Sequence, residues 1–162
     1  MAMAWGQCEL FARANKEEVE RTKFLLEKYT DMLMLMRDYE QFEKEMAQVA
    51  IDGEAARHID EDDLHADKTA NAVILNEKQR WVYRQYKFRT NMLQRAFRTI
   101  TDEEVKKAID YRYIQGFTRK ETILFFRRGL SNSTIDRRIE DGVIAIADNL
   151  KLWGFFEQLE EF

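Results

Sequence analysis

The 162-residue chain is long enough for one ordinary core, or for a small domain with a long accessory helix, and for nothing larger. It has no proline and six glycines, while residues that propagate helices dominate, so an all-α fold is expected. A formal net charge of −4 excludes a protein that coats nucleic acid by bulk charge, and a lone cysteine, Cys8, excludes a disulfide-stapled secreted scaffold.

The opening stretch, Met1 to Ala14, has no basic segment ahead of an apolar run and does not read as a signal peptide. The longest strongly apolar run, Met32 to Met36, is far too short to cross a bilayer. The expectation is a cytoplasmic, nucleoid-associated protein with no membrane partner. Asn15-Lys-Glu-Glu18 has the form of a reciprocal capping box, so a helix should start there. Val19, Thr22, Leu26, Tyr29, Leu33 and Met36 then recur at steps of three and four, and Tyr39, Phe42, Met46 and Val49 continue on a shifted register. This predicts one long helix within residues 1–51. Its stripe needs a partner helix, from an intramolecular hairpin or from a second copy, and the residues leave both open. Met32, Met34, Met36 and Met46 suit an adaptable partner groove, although methionine on a helix more often fills a core.

Between Asp52 and Asp67 lie Asp52, Glu54, Asp60, Glu61, Asp62, Asp63 and Asp67 against Arg57, which predicts an acidic linker over residues 52–68. His58 and His65 among those carboxylates admit a metal-dependent nuclease reading, but ligands need a rigid second shell that such a stretch does not supply, and no metal site is expected. From 69 to 162 a helical domain is expected. Leu75, Val82, Tyr86, Leu93, Phe97 and Ile100 mark the buried face of its first helix, ending near Thr99. The other face, from Lys78 to Arg98, is basic and interleaved with Trp81, Tyr83 and Phe88. Contact with phosphates and a solvated face answering the acidic linker are both compatible with it.

Thr101-Asp-Glu-Glu104 reads as a second capping box, opening a helix that should close at a left-handed Gly116. Thr118 with Glu121 caps the next, which carries Ile123 to Phe126 and stops at Gly129. Leu130 is placed to plug the core, Ser131 caps a final helix, and Ile135, Ile139, Val143, Ile146 and Leu150 form its apolar stripe. Short capped helices joined by tight turns are what a helix-turn-helix requires. With Ile135 and Ile139 turned inward, Ser133 and Arg137 point outward and Asn132 and Thr134 sit at the exposed start. Arginine can take guanine and asparagine adenine in the major groove, and the free amides after Thr118 and Ser131 suit phosphates. From Lys106 to Arg138 basic residues outnumber acids, and the double Arg127-Arg128 stands just before the turn.

Tyr111-Arg-Tyr-Ile-Gln-Gly-Phe-Thr118, followed by Gly129-Leu-Ser-Asn-Ser-Thr-Ile-Asp-Arg-Arg-Ile139, resembles the fourth region of sigma factors. More closely, the stretch from Asp102 to Phe156 resembles the ArpU-type regulators of phages and prophages, associated with late-gene control, whose Ala-rich and aromatic ending is similar to Ile144–Leu150 and Trp153–Phe156. The span from Thr118 to Gly129 is longer than the usual spacing in that family. The resemblance implies sequence-specific binding of double-stranded DNA through Arg119, Lys120, Ser131, Asn132, Ser133, Thr134, Arg137 and Arg138, to which the charge pattern adds Arg127 and Arg128. A homodimer is expected to set half-site spacing. The alternative is a sigma-like module that binds RNA polymerase without DNA specificity of its own. No Gly-rich phosphate loop, Ser-His-Asp set or catalytic Cys and His pair is present in the sequence, so neither enzymatic activity nor a cofactor is expected.

Overall fold

The computed structural model describes residues 6–56 and 66–160, and among them every regular element is helical, as the composition predicts. In chain order these are α1 (Gln7–Leu10), α2 (Lys16–Glu27), α3 (Tyr29–Ala56), α4 (Ala66–Arg98), α5 (Glu103–Ile109) with a π-helical continuation (Asp110–Ile114), α6 (Arg119–Phe126), α7 (Asn132–Leu152) and α8 (Phe155–Glu160). Two compact units result. One joins the residues up to Thr30 with those from Arg89 onward, and the other is Asp31–Phe88.

In the first unit α2 opens on the expected capping box, with the Glu18 amide donating to Asn15 Oδ1 at 2.9 Å and the Asn15 amide to Glu18 Oε1 at 3.0 Å. The single long helix expected from that cap is not found. It breaks at Lys28, whose N–H is shared between the Phe24 and Leu25 carbonyls at 3.1 and 3.2 Å, the tightening typical of a helix end.

The core of this unit is laid down around α7. Ile135, Ile139, Val143, Ile146 and Leu150 recur on one face and all are buried, and each fully buried side chain of this kind contributes about 1.5 to 3 kcal/mol. Helices α5 and α2 pack against that face. Gly142 lets α5 approach closely: an added Cβ would fall inside the van der Waals envelope of Ile109 and 3.1 Å from Val105 Cγ1. Leu93, Ala96, Phe97 and Ile100, at the end of α4, are buried here as well. So are Phe155 and Phe156, while the Trp153 ring is covered by the Arg95 guanidinium, 4.0 Å from its centroid. These aromatics are therefore packed within the unit. Polar ties fix α2 to α7: Lys151 Nζ pairs with the buried Glu18 carboxylate at 3.0 Å, and the Ala14 amide donates to Asp148 at 2.8 Å.

Two details depart from expectation. The cap of α5 is Asp102 rather than Thr101, its carboxylate accepting from the Glu104 and Val105 amides at 3.0 and 3.3 Å. A carboxylate is a better complement than a hydroxyl to the positive end of a helix dipole. The helix then does not run to Gly116 as regular α-helix but widens over Asp110–Ile114, closing with the Gln115 amide on the Asp110 carbonyl at 2.8 Å. Gly116 does end it in the left-handed region, at φ +81°.

In the second unit, the stretches of α3 and α4 form an antiparallel hairpin. Tyr39 stacks on Tyr83 with ring centroids 4.8 Å apart, Leu35 shares a groove with Tyr86, and Ala47 lines a hollow with Asn76. The Tyr83 hydroxyl donates to Glu40 Oε1 at 2.6 Å, and that bond is the main reason its pKa is pushed up to about 12. The stripe of α3 thus finds an intramolecular partner over this stretch. It is not covered throughout: Met32 and Tyr39 are buried, whereas Met34, Leu35, Met46 and Val49 are exposed. Helix occupies both ends of the segment expected as a linker, 52–56 and 66–68. Its remainder, 57–65, with His58 and His65, lies outside the described residues.

Candidate nucleic-acid interface

Helix α6 starts from a complete capping box. The Glu121 amide donates to Thr118 Oγ1 and the Thr118 amide to Glu121 Oε2. Thr122 and Ile123 turn inward, leaving Arg119 and Lys120 exposed at its start. The turn to α7 carries Arg127 and Arg128, both exposed, then Gly129 at φ +80° and a half-buried Leu130. Only glycine takes that left-handed conformation without strain.

Ser131 caps α7 as expected, accepting from the Thr134 amide at 3.2 Å and sharing a 2.8 Å hydroxyl contact with Thr134 Oγ1. Ile135 is 1% exposed and Ile139 8%, which fixes the inward side. Asn132, Ser133 and Arg137 are exposed in consequence, and Thr134 is half-buried. Among the described residues, the side chains of Lys120, Arg127, Arg128, Asn132, Ser133 and Arg137 make no hydrogen bond or ion pair.

The other two arginines of the set are engaged. Arg119 makes a bidentate bridge to Asp136, Nε to Oδ1 at 2.8 Å and Nη2 to Oδ2 at 2.6 Å, tying the start of α6 to the second turn of α7. Beside that guanidinium the Asp136 carboxyl is held below the usual carboxylate range, mainly by the hydrogen bond, and the same bond raises the Arg119 pKa. Arg138 pairs with Glu104 of α5 at 3.2 Å. Beyond Arg137 the outward face of α7 turns acidic, with Glu140 and Asp141 both exposed. Only its first turn and a half is therefore electrostatically open to a polyanion.

An aromatic cluster adjoins α6: Tyr111 lies between Phe117 and Phe125, both stacked at 4.2 Å, with Phe126 edge-on. Leu124 and Phe125 are 64% and 60% exposed. Sequence reasoning missed this cluster, and it missed Asp136 and Glu104 as partners. An acid on the second turn of a helix whose neighbours are arginines is a usable signal for the former. Of the basic stretch Lys78–Arg98, Arg95 lies on Trp153 and Arg98 donates to the Gln94 carbonyl at 3.4 Å, both in structural roles. Among the described residues no group of His, Cys, Asp and Glu is placed to hold a metal ion, and no helix is long and apolar enough to cross a membrane.

Because the Asp136 carboxyl is depressed, its contribution to stability is present above its unfolded-state range and is lost as pH falls through its lowered folded value. Asp136→Asn should melt slightly below the parent at neutral pH, and the difference should vanish in strong acid. Thermal melts across that range check it; an unchanged gap at low pH would remove the ion pair as its cause. No family model matches the chain, and neither does any curated protein sequence or solved structure.

Proposed function

We propose that the chain is a sequence-specific, dimeric DNA-binding transcriptional regulator of the ArpU type, phage-encoded and acting on late genes in the bacterial cytoplasm. The observation that carries this reading is the first turn and a half of α7, where two buried isoleucines leave Asn132, Ser133 and Arg137 outward and unengaged. Such side chains at the start of a recognition helix are suited to base edges. Lys120, Arg127 and Arg128 flank them with unpaired charge for the phosphates, and the amides after Thr118 and Ser131 supply further anion contacts. Arg119, bridged to Asp136, and Arg138, bridged to Glu104, hold α6 and α5 against α7 and so set its presentation.

Selection of random duplexes by the purified protein should return an enriched motif with two-fold symmetry. Arg137→Ala should weaken binding to that motif by about 1 to 3 kcal/mol and relax choice at one base pair. Equal titration of target and random duplex by parent and variant would end the reading.

A second reading is a sigma-like module that contacts RNA polymerase without DNA specificity. The exposed Leu124 and Phe125 beside the Tyr111 stack favour it, since contiguous apolar surface serves proteins better than phosphates. Capture of polymerase subunits together with an absence of salt-sensitive DNA binding would select it.

A further inference from the structure

The hairpin of the second unit has an apolar flank that its own two helices leave open. Leu35, Phe42 and Val49 stand at intervals of seven along α3, Leu35 and Val49 exposed and Phe42 half-buried. Sevenfold spacing keeps them on one line of the helix surface and is the repeat that seats a helix against another helix. Of this line Leu35 also walls an open groove of about 260 Å³ between α3 and α4, together with Tyr39, Val82, Tyr83 and Tyr86 and with Asp38 of α3 and Lys78 of α4 in its lining, whereas Phe42 lines a separate hollow with Ala47 and Asn76. Asp38 and Lys78 make no ion pair with each other.

Charge decides what fits there. Asp31, Asp38 and Glu45, all exposed, repeat the sevenfold spacing four residues ahead of the apolar line, the position that flanks a helix–helix seam. Acids dominate α3, against which only Arg37 and Lys44 stand, whereas α4 up to Phe88 carries Lys68, Lys78, Arg80, Arg84 and Lys87 with Asp67 and Glu77 as its acids. Laying α3 on a second α3 would bring two acidic lines together. Laying it across the α4 of a second copy brings acid onto base, and a two-fold axis makes the exchange mutual. We infer that this flank is the dimer interface: α3 of each copy seats Leu35, Phe42 and Val49 against the other's groove, and the acidic rim of α3 meets Lys78 of the partner's α4. The inference deepens the dimer in the proposed function by naming its surface.

Sedimentation equilibrium of the full chain without DNA should give twice the 19.4 kDa chain mass. Leu35→Glu should shift the species to the single-chain mass with its helical circular dichroism intact. Asp38→Lys and Lys78→Asp should each weaken association by roughly ten-fold or more, since each sets like charges across the seam, and the two together should restore it. A chain that sediments at 19.4 kDa at every concentration, or a double variant as weak as either single one, overturns the interface. With DNA absent, the outcome is independent of the DNA-binding reading. A dimer with no operator would leave this interface standing while that reading falls, and a monomer that selects a half-site would do the reverse.

Discussion

Gly142→Val is expected to lower the stability of the first unit by about 3 kcal/mol or more, a large share of the roughly 5 to 15 kcal/mol that holds an ordinary domain folded. The first added carbon would overlap Ile109, which is 0% exposed and held in the core on α5, and would press on Val105. Gly142→Ala already meets that overlap. Its helix-propensity gain of about 1 kcal/mol offsets part of an overpacking cost of about 1 to 3 kcal/mol, so a smaller net loss is expected. Ile109→Ala in the Gly142→Ala background removes the obstructing atoms, so it should cost clearly less there than in the parent. Urea denaturation of the four proteins closes the cycle. Additive losses would show that the two residues do not oppose one another.

The second large effect is electrostatic. Replacing Lys120, Arg127 and Arg128 together by alanine should weaken binding of any duplex and flatten the dependence of log affinity on log salt by about 3, at roughly 0.9 for each phosphate left unneutralised. Arg137→Ala should instead change base preference while altering that slope by about 1 or less. Titrations at several salt concentrations, on the selected duplex and on a scrambled one, separate the two behaviours. A triple variant with the parent's slope would mean that the three cations face away from the duplex.

The parts of this structure legible in the sequence are those fixed by residues three or four apart. The caps at Asn15, Thr118 and Ser131 satisfy amides within their own first turn, and Ile135 with Ile139 orients α7 by itself. At Thr101-Asp102 two neighbouring residues are both able to cap, and local pattern did not choose between them. The break at Lys28 and the widened turn over Asp110–Ile114 carry no residue signature. Both lie where the chain meets distant packing: Tyr113 is 3% exposed, and a Cβ at Gly116 would stand 2.9 Å from Thr30 Cγ2. The carboxylate partners of Arg119 and Arg138 are 17 and 34 residues away, so the sequence offers those arginines as free when the fold engages them. Gly142 offered a fainter signal. A glycine inside a strong helical pattern implies a close approach without saying by what.

The bridge between Arg119 and Asp136 has a consequence for how a duplex would be released. Arg119 comes to any phosphate with a resident competitor, so its transfer exchanges one anion for another instead of creating a new attraction. The competitor rides on the very helix that would enter the groove, and it regains the guanidinium as soon as the phosphate withdraws. Under the proposed DNA-binding function, such a built-in rival would favour rapid departure over tight retention.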